Sequence, residues 1–379
     1  MKMSILFKYL VGQRGAIEEI ASNRKSLLIG FLFCLSAALA RHYDGKYFWR
    51  EPWFLLAPAG ASILTSSILF LAIYLATSAK ARQLLPGIVP SYLTFLGLYW
   101  MTAPLAWLYG IPYERFLNEV NAAQANVWTL ELVSVWRVLL ISRVVAVLTP
   151  SSIFSAFTKV AVPALAVVFV AISYARMPLI DWMGGVRVPP SVQPVADAYM
   201  FVTFFGFFAL VIGGIVWLVS LFFASPESTL AGFRIQQPST IGTGLPILAL
   251  LVILGFTAAL PITQREQKLR YEVETDLKKN HIDDALSILT SHPQRDFPPQ
   301  WTPPPWPEYG EGDKNPSLSE IIKSLQTRHD IPMWVQSTYR EKAKLYLSNN
   351  GPGTNSAEKA DRLRLQEYSE ENAELQKQH

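Results

Sequence analysis

The sequence predicts an all-α fold: a polytopic transmembrane helix bundle with about seven membrane-embedded helices, followed by a mostly helical, proline-rich C-terminal tail. Three observations predict it. Hydrophobic residues make up 51% of the 379 and charged residues only 16%, against roughly 25% in an ordinary soluble domain. The apolar residues gather in long runs between 26 and 260, whereas 261–379 is polar. Aromatic residues reach 12%, which suits a chain whose Trp and Tyr settle at bilayer interfaces. Four parts follow: a basic arm at 1–25, the bundle at 26–260, a soluble helical and proline-rich tail at 261–355, and a charged, frayed or disordered end at 356–379.

A bilayer core about 30 Å thick needs about 20 apolar helical residues to cross it. Six runs meet or approach that length: Ser26–Ala40, Trp53–Ser78, Leu84–Gly110, Ala156–Ala175, Met200–Ala224 and Gly244–Leu260. The first is short and uses Lys25 and Arg41 as snorkelling ends. Pro58, Pro90, Pro104 and Pro163 fall inside runs; membrane helices tolerate them because neighbours re-satisfy the freed carbonyls. The arm carries Lys2, Lys8, Arg14, Arg24 and Lys25. That excess places the N-terminus in the cytoplasm and the chain in the cytoplasmic (inner) membrane. Ala38-Leu39-Ala40 before Arg41 also fits a cleaved signal peptide. The long basic stretch ahead of it favours an uncleaved anchor.

The seventh segment, Trp128–Thr149, carries Glu131, Arg137 and Arg143 among twelve Leu, Ile and Val residues. Those twelve favour insertion by roughly 4–7 kcal/mol, while a central Arg costs about 2.5–3.5. Insertion is therefore close to balanced. Glu131, Ser134 and Arg137 share a roughly 120° arc of a helical wheel, and Arg143 lies on another face. The segment is either a bundle-interior helix with a polar stripe or a helix lying at the interface. If it spans, the tail lies outside the cytoplasm; if not, the tail is cytoplasmic.

Charges at membrane depth need neutralising neighbours. Asp44 and Glu51, in the aromatic-rich loop 41–53, are the expected partners of Arg137 or Arg143. The loop 176–199 contains Met183-Gly184-Gly185-Val186-Arg187, a turn signal with no Gly-Lys-Ser/Thr and hence no phosphate loop. In the tail, helices are expected at Gln264–Asn280, Ile282–Thr290, Leu318–Arg328 and Val335–Leu347. The first pair resembles half of a tetratricopeptide-type hairpin, without a repeat. Residues 296–312 hold six prolines and favour extended backbone. With Trp301, Pro304, Trp306 and Tyr309 this stretch is either a partner-docking segment or a stiff spacer packed on its own tail.

The search for chemistry returns little. Cys34 is the single cysteine, so an intrachain disulfide and a cysteine-based metal site are excluded. The five histidines make no ligand spacing, and no nucleophile elbow is present. Neither a cofactor nor a catalytic residue is expected. Net charge is +4 with no basic stripe, so nucleic acid is not an expected partner. No matched halves suggest an inverted-repeat transporter.

Several stretches carry a resemblance: KYLVGQRGAIEEIA (8–21), LARHYDG and EPWFLLAP (39–45, 51–58), MTAPLAWLYGIP with ERFL (101–117), VWRVLLISRV (135–144), MGGVR (183–187) and DFPPQWTPPP (296–305). They resemble an uncharacterised family of multi-pass membrane proteins from bacteria, mainly planctomycetes. That family brings no assigned activity, so no residue role is carried over. The bundle is also loosely similar in hydropathy to the Yip1 family, without its aromatic-proline signature.

Two function classes follow. The first is a membrane scaffold or interaction protein, bound to the lipid bilayer and docking a protein partner through its tail. The alternative is a transporter or channel with a polar site around Glu131, Ser134 and Arg137 and acids from the 41–52 loop. An enzyme ranks third, and oligomeric state is open.

Overall fold

The structure is a computed structural model that describes residues 3–23, 25–76, 87–149, 151–174, 190–222, 243–305, 316–349 and 356–370. It is all-helical, with no strand among the described residues. The chain divides into two compact units. The first takes in the described parts of Met1–Tyr113, Ala122–Tyr174 and Val195–Leu260; the second holds Glu114–Asn121 and the described parts of Pro261–His379.

The first unit contains helices α1 (Met3–Leu10), α2 (Arg14–Ala21), α3 (Ser26–His42), α4 (Trp53–Leu75), α5 (Ile88–Trp100), a 3-10 stretch (Ala103–Gly110), α6 (Glu119–Leu148) from Ala122 on, α7 (Ile153–Tyr174), α8 (Gln193–Phe222) from Val195 on, and the apolar first half of α9 (Gly244–Lys278). Four helices, α4, α7, α8 and α9, are long and apolar enough to cross a membrane, and α2 with α3 qualifies as a bent pair. Only 6% of the most apolar stretch of α8 is buried, and 22% of that of α4. Apolar helices this exposed need a surrounding apolar phase, which is the pattern of a membrane protein.

The expected run at Leu84–Gly110 is not one helix among the described residues. It is α5, a turn at Met101–Thr102, and the 3-10 stretch. Pro104 explains the break. It has no N–H to donate to the Trp100 carbonyl, so the α ladder stops there. The Thr102 N–H and hydroxyl both donate to the Tyr99 carbonyl, at 3.1 and 2.7 Å.

Helix α3 is the hub of this unit: ten of its 17 residues are buried. Small residues set its spacing. A Cβ on Gly30 would lie 2.8 Å from Trp100 Cβ, and one on Gly97 would lie 3.1 Å from Ser26 Oγ. The backbones of α3 and α5 therefore approach closely at their crossing, as membrane helices do through small residues. At the other end of α3, a Cβ on Gly110 would meet the Phe256 ring at 2.7 Å and the Ala40 carbonyl at 3.3 Å. Indole N–H groups bind hydroxyls inside the bundle: Trp100 donates to Ser62 Oγ at 2.7 Å and Trp107 to Ser36 Oγ at 2.8 Å. Gly206 and Gly213, two turns apart on α8, face Leu165 and Val162 of α7.

The second unit has its own core. Beyond Pro261, α9 continues as a charged helix and ends at Lys278; Asn280, with φ 63°, closes it. The His281 N–H returns to the Asp276 carbonyl and the Asn280 N–H to Leu277, the bonding of a left-handed helix cap. Then follow α10 (Ile282–Ser291), the extended stretch 297–305, α11 (Leu318–Gln326), α12 (Met333–Asn349) and α13 (Ser356–Glu370). Ser317 and Glu320 form a reciprocal capping box at the start of α11. Val273, Leu286, Leu289, Ile321, Val335 and Tyr339 lie in the centre of the core. The charged end, expected from 356 on to be a frayed helix or disordered, is helical over Ser356–Glu370. Leu365 and Tyr368 reach the core on one face of it, and Asp361 accepts from Ser319 Oγ at 2.7 Å.

The glycine contacts yield a paired test. Gly30→Ala adds helix propensity but places a methyl in contact with Trp100 and is expected to lower stability by about 1–3 kcal/mol. Gly60→Ala, where a Cβ meets nothing within 4 Å, is expected to leave stability unchanged or raise it by up to about 1 kcal/mol. Thermal unfolding of the detergent-solubilised protein reads both.

Candidate functional site

The polar residues singled out on α6 are not gathered into one cluster. Glu131 and Ser134 are exposed, Arg137 is half-buried and Arg143 is exposed. Neither Arg137 nor Arg143 has a carboxylate within 4.0 Å among the described residues. Glu51 instead lies 4.0 Å from Lys46 Nζ and accepts the Tyr47 N–H at 3.2 Å. Asp44 is half-buried in the same loop. The expected neutralisation of the α6 arginines by these two acids is not seen.

Arg137 meets an aromatic ring in place of an acid. Its guanidinium stands over the Tyr99 ring at 5.6 Å and is in polar contact with the Tyr99 hydroxyl. Tyr9, Tyr109 and Cys34 lie within its electrostatic reach. Ser134 lies one turn earlier on α6 and is exposed. The Arg137 Nε is buried and has no hydrogen-bond partner among the described residues. A tyrosine face attracts a cation by about 0.5–2 kcal/mol, so the ring partly compensates the missing anion. The arrangement can hold a permanent positive charge with one donor left over.

Arg143 has a structural task. Its Nε donates to the Gly12 carbonyl at 3.2 Å, and Trp136 Nε1 donates to the Leu10 carbonyl at 2.9 Å. Both carbonyls belong to the turn between α1 and α2. Gly12 has φ +74°, and a Cβ there would lie 3.1 Å from Arg143 Cγ. Glycine alone takes that backbone freely and leaves room for the arginine stem. Tyr9 then fixes α1, donating from its buried hydroxyl to the Leu98 carbonyl at 2.6 Å. The basic arm is thus a folded helical hairpin, held against α5 and α6.

The proline-rich candidates fold inward. Pro304 is buried, and its carbonyl accepts from the Tyr339 hydroxyl at 2.7 Å. Burial pushes the Tyr339 hydroxyl above the ordinary tyrosine range, which keeps it a neutral donor. The buried Lys342 donates to the carbonyls of Pro303 at 2.6 Å and Pro305 at 2.9 Å. Trp301 stacks on Phe297 at 5.1 Å and donates to Glu274 at 3.1 Å. These contacts are those of a spacer packed on its own unit. Trp306 and Tyr309 lie outside the described residues, as does the 183–187 turn.

One residue was missed by sequence reasoning. Lys159 sits inside the run Ala156–Ala175, is 9% exposed and makes no hydrogen bond or ion pair among the described residues. A lone lysine in an otherwise apolar run is the signal that pointed to it. No group of metal-binding side chains is found among the described residues. An open groove of about 260 Å³ lies between the α9–α10 turn and α11, lined by Asn280, Ile282, Glu320, Lys323, Ser324 and Thr327. Comparison with protein-family models, curated proteins and solved structures finds no match for this chain.

The two arginines are expected to respond differently to loss of charge. Arg143→Met removes a charge-assisted bond to a backbone carbonyl and is expected to cost about 1.5–3 kcal/mol. Arg137→Met removes a charge that no carboxylate holds, so stability stays the same or rises, as when apolar groups replace buried charge. Thermal melts of both variants check this; a large loss for Arg137→Met contradicts it.

Proposed function

We propose that this chain is a multi-pass protein of the cytoplasmic membrane with seven embedded helices, and that it acts as a scaffold holding a folded helical unit at the membrane surface. The observation that carries the reading is the second unit itself: a closed core with its proline-rich stretch tied down, continued directly from the apolar half of α9. A compact unit with an open groove of about 260 Å³ and no cluster of metal-binding side chains among the described residues suits partner binding better than turnover.

The seven spans are α3, α4, α5 with its 3-10 stretch, α6, α7, α8 and the first half of α9. Contacts within the first unit support the crossing of α6. Tyr113, just after Gly110, pairs with Thr129 at 2.9 Å, level with the C-terminal end of α3, where Gly110 meets Ala40. Arg143, fourteen residues and roughly 21 Å later, meets Gly12 of the hairpin. That hairpin binds α5 beside the start of α3. So α6 traverses the same depth as α3. Phe256 of α9 meets Tyr43 at 5.2 Å and Gly110, so α9 leaves the bundle at the end where α3 finishes. An odd number of spans then carries the chain after Leu260 to the side opposite the N-terminus.

Loop charge agrees with a cytoplasmic N-terminus. The basic arm, with Lys8, Arg14 and Lys25, lies on the cytoplasmic side in this threading. Arg265, Lys268, Arg270, Lys278 and Lys279, just beyond Leu260, fall on the outer side in this threading, against the rule; they head a long polar domain, and such domains translocate largely regardless of charge. Two of them are also paired, Arg270 with Glu274 at 2.8 Å and Lys268 with Glu272 at 3.7 Å. We place the chain, on its loop motifs, beside the uncharacterised bacterial family named above. The second reading is a transporter or channel using Arg137, favoured by its ring contact with Tyr99 and free Nε.

A photo-crosslinking residue in place of Lys323, on the groove, separates the two in native membranes. The scaffold reading expects a discrete protein adduct that survives Arg137→Gln at normal abundance. No adduct, together with a selective uptake defect in Arg137→Gln, would establish the transporter reading instead.

A further inference from the structure

We infer that α1 is a lipid-embedded anchor whose outer face lies in an anionic phospholipid leaflet. The inference goes beyond the scaffold reading and rests only on the bundle being in a membrane. Helix α1 is apolar on two sides. Leu6 and Tyr9 face the core. Met3, Phe7 and Val11 are spaced four apart, so they form one stripe, and they are 57%, 70% and 47% exposed. Three large apolar side chains in a row on a short helix are not a surface that water favours.

The neighbouring helix shows what a water-facing surface looks like on the same hairpin. The outer side of α2 carries Arg14 and Glu18, paired at 2.8 Å with both side chains at least half exposed. The two outer faces therefore differ in kind, although one turn joins them. The apolar stripe is also held in place. Tyr9, Trp136 and Arg143 pin the α1–α2 turn to α5 and α6, so α1 is fixed beside helices that are themselves apolar and exposed.

Charge selects the leaflet. Lys8, beside Phe7 on the same surface, is exposed, and so is Lys25 at the start of α3. A basic residue near an anionic headgroup layer contributes about 1 kcal/mol of attraction. A short apolar stripe flanked by lysine is the pattern of an interfacial helix. Here it is built into the fold instead of being tethered by a flexible segment. The occupant of the stripe is thus lipid: acyl chain against Met3, Phe7 and Val11, phosphate against the lysines.

The test uses the full chain with Cys34→Ala, reconstituted into vesicles of phosphatidylcholine with phosphatidylglycerol. Nitroxide labels are placed at Phe7→Cys, Glu18→Cys and, as a bundle control, Phe208→Cys. Collision with oxygen against a water-soluble nickel chelate reads the environment. The expected result is a lipid-like ratio at Phe7, matching Phe208, and a water-like ratio at Glu18. A water-like ratio at Phe7 with a lipid-like Phe208 overturns the proposal and leaves the bundle reading intact. A water-like ratio at Phe208 overturns both. Low access to both reagents at Phe7 means that protein covers the stripe, which also overturns it. In phosphatidylcholine alone, or with Lys8→Glu, the label is expected to move toward the water-like value; no shift in either overturns the anionic-leaflet assignment. If Phe7→Cys does not fold, Met3→Cys carries the same test.

Discussion

A guanidinium keeps its charge at any depth in a bilayer, and the whole topology turns on how Arg137 is accommodated. No acid lies within ion-pair distance of it among the described residues. It is placed against the Tyr99 ring and within reach of Tyr9 and Tyr109. These three tyrosines come from α1, α5 and the 3-10 stretch, so four separate parts of the chain must be assembled before the cation is sheltered. The ring contact with Tyr99 contributes only about 0.5–2 kcal/mol. The near balance of α6 between insertion and exclusion, a cost of about 2.5–3.5 kcal/mol for the arginine against twelve aliphatic residues, makes such contributions decisive. In the proposed topology, α6 crosses because it inserts against a prepared aromatic ring.

That contact depends on close packing around α3. The glycines at 30, 97 and 110 let two backbones and the Phe256 ring approach where a Cβ would collide. Shifting α5 away from α3 would move Leu98 and Tyr99 together, and with them the acceptor for Tyr9 and the ring under Arg137. The hairpin is coupled to the same point: Tyr9 bonds Leu98, and Arg143 and Trp136 bond the turn. Cation shelter, helix spacing and hairpin position are therefore one connected constraint. The second unit is organised on a separate principle, an ordinary apolar core with capped helices and a lysine that gathers proline carbonyls.

Much of the helical architecture was legible in the sequence because hydrophobic run length is a strong, local signal. The start of α4 at Trp53, the apolar part of α9 and the tail helices fall near their expected places. The break between α5 and the 3-10 stretch was not foreseen, although Pro104 was in view, because a membrane proline is compatible with a continuing helix. The arm reads as basic from Lys8 and Arg14; its folding depends on Tyr9 reaching the Leu98 carbonyl, 89 residues away, which periodicity cannot show. The polar residues of α6 were identified, but not their partners. Asp44 and Glu51 were chosen by charge, whereas Arg137 is met by a tyrosine ring. Lys159 was overlooked because the surrounding run is so apolar that one lysine barely changes it.

The central claim is that α6 crosses the membrane with Arg137 inside it. Cysteine accessibility on the two sides of α6 tests it most directly. In a Cys34→Ala background, Gln124→Cys and Ser152→Cys, both exposed positions, are treated with a membrane-impermeant maleimide before and after permeabilisation of intact cells. The account expects Gln124→Cys to react in intact cells and Ser152→Cys to react only after permeabilisation. Reaction of both from the same side would contradict it.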